Sequence, residues 1–222
     1  MAGDSTMAIK DPKTYPETGW GMPFVYFWDS TVTVVNRAKN GRSTKSFLSE
    51  GLWKSIYDEA KEGDYVFIQF GHNDESPDKK ERYATPDTFK MLLTKFIRET
   101  REKKAIPVLL TPVSRRKFKD GHAAPTHEQY SPLVKEVAAA EKVLFIDLDA
   151  KSMALYDQWG EEFSKKLFMQ LDSNEHPNYP DGKIDNTHFT ELGARLIAEI
   201  VLKEIRSVAP ELAEHIYTPA KK

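Results

Sequence analysis

A serine, a histidine and an aspartate stand at expected loop positions, and side chains of these types can together run acyl transfer. Ser5 lies in Gly3-Asp4-Ser5-Thr6, while Asp185 and His188 lie in Asp185-Asn186-Thr187-His188. A serine hydroxyl is a weak nucleophile until a base takes its proton. Histidine suits that task because its ordinary pKa lies near neutrality. A carboxylate beside it fixes the tautomer and stabilises the imidazolium. Asp185 and His188 are three apart on an expected loop or turn, so their side chains can meet locally; Ser5 must be carried to them by the fold. Two more short motifs share the loop pattern: Asn40-Gly41-Arg42-Ser43 and Gly71-His72-Asn73-Asp74. Taken singly, each motif also has a plain reading. Ser5 is then a turn serine, His188 a helix-start histidine, and Asn73 a turn residue after a strand.

The elements that must position these residues follow from apolar patterning. Four short runs, bounded by polar or turn residues, read as buried strands: 31–35 (TVTVV), 65–70 (YVFIQF), 106–110 (IPVLL) and 143–148 (VLFIDL). Longer amphipathic stretches between them read as helices over 43–62, 85–103, 131–142, 151–168 and 190–208. Pro86 after Thr85 is a helix-start signal, and Ser43 is expected to cap the helix that follows it. Strands alternating with helices imply an α/β fold: a three-layer α/β/α sandwich around a central parallel sheet. In such sheets functional residues gather at the carboxyl ends of strands. Length suits one domain over residues 1–222.

In this order, the four motifs resemble the sequence blocks of the SGNH hydrolases, the GDSL-esterase superfamily. More narrowly, GDSTMA, NGRSTKSF, GDYVFIQFGHND, LLTPVSRR and DNTHF resemble the rhamnogalacturonan acetylesterase-like branch. The likeness runs from Gly3 to about Ile205. It implies Ser5 as nucleophile, with Asp185 and His188 completing a triad. It assigns the oxyanion hole to the Ser5 N–H, the Gly41 N–H and the Asn73 side-chain amide. It also implies removal of O-acetyl groups from a plant cell-wall polysaccharide, acetylated rhamnogalacturonan first. Acetylated xylan or oligosaccharides, a lipase or thioesterase activity, and a non-catalytic carbohydrate-binding module are the other readings. The family carries a strand just before its first block, whereas only Met1 and Ala2 precede Gly3 here. The first strand is therefore expected to be truncated or replaced, with Ser5 near a frayed end.

Three residues beside the motifs are candidate substrate contacts: Arg42, His72 and Trp20, the last by stacking on a sugar ring or else as a core anchor. Asp4 is read as structural. Arg115, Arg116 and Lys117 open a long polar loop and either meet an acidic polymer or form a solvated charge run. The α/β-hydrolase elbow G-x-S-x-G does not occur. Neither does a Walker loop or G-x-G-x-x-G, and His122 and His127 lack metal-ligand spacing, so no metal and no cofactor are expected. The 222 residues carry a formal net charge of -2 with both signs interspersed, which argues against a nucleic-acid partner. With no cysteine, disulfides and thiol chemistry are excluded. No apolar run approaches the roughly 20 residues of a bilayer span, and the first residues lack signal-peptide character. The expected partner is an acetylated glycan, with no membrane, and the chain is expected to be a monomer or weak oligomer. As written it carries no address; a removed leader would make it secreted or periplasmic.

Overall fold

In the computed structural model, which describes residues 1–218, strands and helices are interspersed along the chain. In order they are β1 (Ala2–Gly3), α1 (Gly21–Phe24), α2 (Thr44–Ser49), α3 (Leu52–Glu59), β2 (Tyr65–Gln69), α4 (Pro86–Glu102), β3 (Ile106–Leu110), β4 (Phe118–Lys119), β5 (His122–Ala123), α5 (Tyr130–Glu141), β6 (Leu144–Ile146), α6 (Leu148–Phe163), β7 (Phe168–Leu171), β8 (Lys183–Phe189), α7 (Glu191–Val208) and α8 (Pro210–Ala213). The central sheet has the order β1-β2-β3-β6, and every pairing in it is parallel.

Both faces of the sheet are buried, so its strands read as continuous apolar runs. Side chains still alternate between faces, because a strand has period two. Val66, Ile68 and Leu109 pack with Phe47, Trp53, Phe89, Phe96, Tyr130 and Val134 from α2 to α5. Phe67, Val108 and Leu110 pack on the opposite side with Phe24, Tyr156, Ile197 and Val201 from α1, α6 and α7. Three layers result, as the alternation of strand and helix signals implies. The long helices begin where their caps dictate: Thr85 accepts from the Thr88 N–H, Asp147 from Ala150, and Thr190 from Gly193.

Several boundaries differ from the sequence reading. Residues 31–35 form no regular strand. Pairing with β1 begins at the end of that run: the Met1 amino group donates to the Val35 carbonyl at 2.8 Å. The Arg37 and Lys39 amides donate to the carbonyls of Met1 and Gly3, each at 3.0 Å. This segment flanks β1 on one side, while Ala2 and Gly3 register with Ile68 and Gln69 of β2 on the other. β1 is short, as expected, but it is paired on both edges, so Ser5 leaves an interior strand and not a frayed end. The helix expected over 43–62 is two helices, broken at Gly51, whose φ of 73° is left-handed. The helix expected over 151–168 starts at Leu148 and ends at Phe163, and Phe168 opens β7 instead.

A cavity of about 680 Å³ opens at the amino end of the sheet, between residues 31–35 and the first half of β2. It is remote from the loops at the carboxyl ends of the strands, and Ser5, Asp185 and His188 do not line it.

Candidate active site

The last sheet element decides how Asp185 meets His188. In a regular strand, residues three apart face opposite sides. Here β7 and β8 pair antiparallel, with Gln170 opposite Ile184 and Phe168 opposite Phe189. β8 therefore spends more residues than β7 over the same stretch, and Asp185–His188 occupies that irregularity. Bulges of this kind re-aim side chains. Asp185 Oδ1 accepts from the Thr187 amide at 2.7 Å and the His188 amide at 3.1 Å. Its Oδ2 lies 2.8 Å from His188 Nδ1. His188 Nε2 lies 2.9 Å from Ser5 Oγ, a contact between positions 183 apart in sequence. A carboxylate can only accept, so Nδ1 carries the hydrogen, Nε2 is the acceptor, and Ser5 Oγ–H donates to it. Burial works to raise the Asp185 carboxyl. The hydrogen bond and charge of His188, with the two amides, overcome that and hold it well below the usual carboxylate range.

The other loops at the carboxyl ends of the strands are cross-braced by buried polar groups. Asp4 accepts from the Thr6 amide and hydroxyl through Oδ1, at 2.9 and 2.8 Å, and lies 3.1 Å from His72 Nδ1 through Oδ2. Burial opposes its ionisation, yet His72 and Thr6 together lower its pKa to about 2. The Asn73 amide donates to the Arg42 carbonyl at 3.0 Å. Gly41 has φ of 73°, and a Cβ there would meet the Arg82 guanidinium at 3.1 Å. Asn73 and the Gly41 loop are thus in direct contact.

Two expected substrate contacts are corrected. Trp20 is fully buried, and its indole N–H donates to Gln69 Oε1 at 2.7 Å, so it is a core anchor with no face for a sugar. Gln69 in turn donates to Thr6 Oγ1 at 2.8 Å. His72 is buried against Asp4 and the edge of the His127 ring, and its Nε2 is enclosed without a partner, so it braces the loops from within. Arg42 is partly exposed, with its guanidinium on Glu50 at 2.8 Å and on the Asn40 carbonyl at 2.9 Å.

The basic loop after β3 turns inward as well. Arg115 pairs with Glu75 at 2.6 Å, and Glu75 also meets His127 at 3.0 Å. The Arg116 amide donates to the Asn186 carbonyl at 2.8 Å, which props the bulge carrying Asp185 and His188. Only Lys117 of the three basic residues is exposed. Apolar periodicity carries no signal for such bracing, so sequence alone does not mark Gln69, Glu75 or Arg116 as braces.

Residues 1–196 match the model of the GDSL-like lipase/acylhydrolase family. The chain belongs to that family. Among family relatives, the rhamnogalacturonan acetylesterase RhgT of Bacillus subtilis (strain 168) is 43% identical over 97% of this chain and 92% of its own. A second B. subtilis protein, described as the probable rhamnogalacturonan acetylesterase YesY, is 38% identical over 97% of this chain and 95% of its own. The crystal structure of YxiM from B. subtilis superposes with a TM-score of 0.79 at 28% identity, covering 92% of this chain. This chain spans about half of YxiM, 55% of its length. The acylhydrolase family, the three-layer fold and the acetylesterase relatives agree with the reading made from the four motifs.

Proposed function

We propose that this protein is a carbohydrate acetylesterase acting on acetylated rhamnogalacturonan, with a Ser5–His188–Asp185 triad. The observation that carries the reading is the unbroken chain from Ser5 Oγ to His188 Nε2 and from Nδ1 to Asp185 Oδ2, at 2.9 and 2.8 Å. Both distances are those of working hydrogen bonds between a nucleophile, its base and an orienting carboxylate.

Ser5 Oγ attacks the acetyl carbonyl carbon while His188 Nε2 takes its proton. The carbonyl oxygen becomes an oxyanion, which accepts hydrogen bonds from the Ser5 and Gly41 amides and the Asn73 side-chain amide. The intermediate collapses, the sugar hydroxyl leaves with the proton from His188, and acetyl-Ser5 remains. Water, deprotonated by His188, attacks that ester in turn and releases acetate. Asp185 stays ionised throughout and steadies the imidazolium. The substrate class is supported by the two relatives that bear the rhamnogalacturonan acetylesterase description over nearly their whole length.

The test is acetate release from acetylated rhamnogalacturonan and acetylated xylan, with Ser5→Ala alongside. Faster release from the former, abolished in Ser5→Ala, is expected. Faster release from xylan would reassign the polymer, and full activity in Ser5→Ala would reject the triad.

A further inference from the structure

Three loops must hold a common geometry for the proposed oxyanion hole to exist, and one buried carboxylate spans two of them. Asp74 is wholly buried. Its Oδ1 accepts from the Thr44 amide at 2.9 Å and the Thr44 hydroxyl at 2.5 Å. Thr44 is the first residue of α2, directly after the Gly41-Arg42-Ser43 turn. Asp74 itself directly follows Asn73. The two proposed side-chain and backbone donors outside the nucleophile loop therefore sit on segments joined through Asp74.

The rest of the neighbourhood narrows the freedom of both segments. The Asp74 carbonyl accepts from the Ala84 amide at 3.1 Å, and the Gly71 carbonyl accepts from Glu75 at 3.1 Å. Gly71, with φ of 147°, packs so closely on Pro112 that a Cβ would lie 2.7 Å from its ring. Ser43 caps α2 through a reciprocal pair of bonds with Ser46. Each segment is thus stiff in itself, and the bonds between them are the Thr44–Asp74 pair and the single Asn73–Arg42 bond.

The second oxygen of Asp74, Oδ2, is enclosed with no protein partner. A buried carboxyl with one unsatisfied oxygen is costly. Nearby Asp4 adds a like charge. A side chain so placed makes sense where the bonds through its other oxygen are needed.

We propose that Asp74 is the positioning residue of the oxyanion hole, holding the Gly41–Thr44 and Gly71–Asp74 segments in one geometry through Thr44. The inference rests on the assignment of Gly41 and Asn73 as oxyanion donors. Donors must be placed before the charge develops, and a misplacement of about 1 Å costs on the order of 100-fold in rate. Asp74 touches no reacting atom; it acts through its neighbours.

The experiment is steady-state kinetics on a soluble acetyl ester for Asp74→Ala, Asp74→Asn, Thr44→Val, Asp74→Ala/Thr44→Val and Ser5→Ala, each checked for folding by circular dichroism and melting. Asp74→Ala is expected to lower kcat roughly 10- to 100-fold with KM nearly unmoved. Asp74→Asn retains an acceptor for both Thr44 donors and is expected to recover most of that loss. The double variant is expected to be no slower than Asp74→Ala, since both changes break one link. A folded Asp74→Ala with full kcat, a loss carried by KM alone, or no recovery in Asp74→Asn would overturn the proposal. If Ser5→Ala is as active as the unaltered chain, the esterase assignment fails instead. Should Asp74→Ala not fold, the pair Asp74→Asn and Thr44→Val decides: Thr44→Val must lower kcat and Asp74→Asn must lower it less.

Discussion

Asp185 and His188 face each other at 2.8 Å because β8 is irregular where they lie, not because they are near in sequence. A straight strand would send the two side chains to opposite faces of the hairpin. The Asp185 carboxylate holds the His188 Nδ1–H, which leaves Nε2 free to accept from Ser5.

Asp185→Asn is expected to lower kcat about 10,000-fold, as removal of the orienting carboxylate does where the base depends on it for its tautomer. KM on a small acetyl ester is expected to change little. A drop below tenfold in a folded variant would mean that His188 is held by something other than Asp185.

Asp74 makes stability fall as pH rises from about 4 to about 7. Burial, aided by the charge of Asp4 and opposed by the Thr44 bonds, raises its pKa from 3.8 to about 7 in the folded chain. In that window the folded state keeps a proton that the unfolded chain has lost, so deprotonation favours unfolding. Below about 4 both states are protonated and the contribution is fully present; above about 7 it is gone. Denaturant melts at pH 5 and pH 8 are expected to show a smaller difference in Asp74→Asn than in the unaltered chain. Asp4 works the other way. Its folded pKa of about 2 contributes stability above pH 3.8 that is lost only as pH falls towards 2. An equal pH dependence in Asp74→Asn would contradict this assignment.

Trp20→Phe keeps the ring in the core but removes the donor to Gln69. Gln69 is wholly buried, and its Oε1 would lose that partner. The expected cost is about 1–3 kcal/mol of unfolding free energy. Because Gln69 also holds Thr6, next to Ser5, kcat is expected to fall modestly too. Guanidinium melts and ester kinetics check the two parts separately.

Gly193→Ala reverses the usual preference for alanine over glycine inside a helix, which amounts to about 1 kcal/mol. Gly193 lies in the first turn of α7, and a Cβ there would sit 2.0 Å from the Leu167 carbonyl oxygen. That oxygen already accepts from the Thr190 amide at 3.1 Å, so it cannot move away without loosening the start of the helix. A clear fall in Tm is expected; a rise would mean that α7 packs less tightly on residue 167.

Much of this protein is determined by sequence alone, where the information is local. Strand identity at β2 and β3 follows from compact apolar runs, since burial on both faces demands them. The starts of α4 and α7 follow from Thr85 and Thr190, because a cap bonds within its own turn. The roles proposed for Ser5, Gly41, Asn73, Asp185 and His188 come from residue type and motif order, read through the family resemblance.

What only the tertiary structure decided is non-local. The pairing of β1 on both edges depends on residues 35–39 and 68–69 arriving beside it. The fates of Trp20, His72, Arg115 and Arg116 turn on partners 40 to 70 positions away, and no periodicity encodes those distances. The same holds for Asp74 and Thr44, 30 positions apart. A side chain's type sets which bonds it can make; the packing of the sheet and its loops sets which group is within 3 Å to make them.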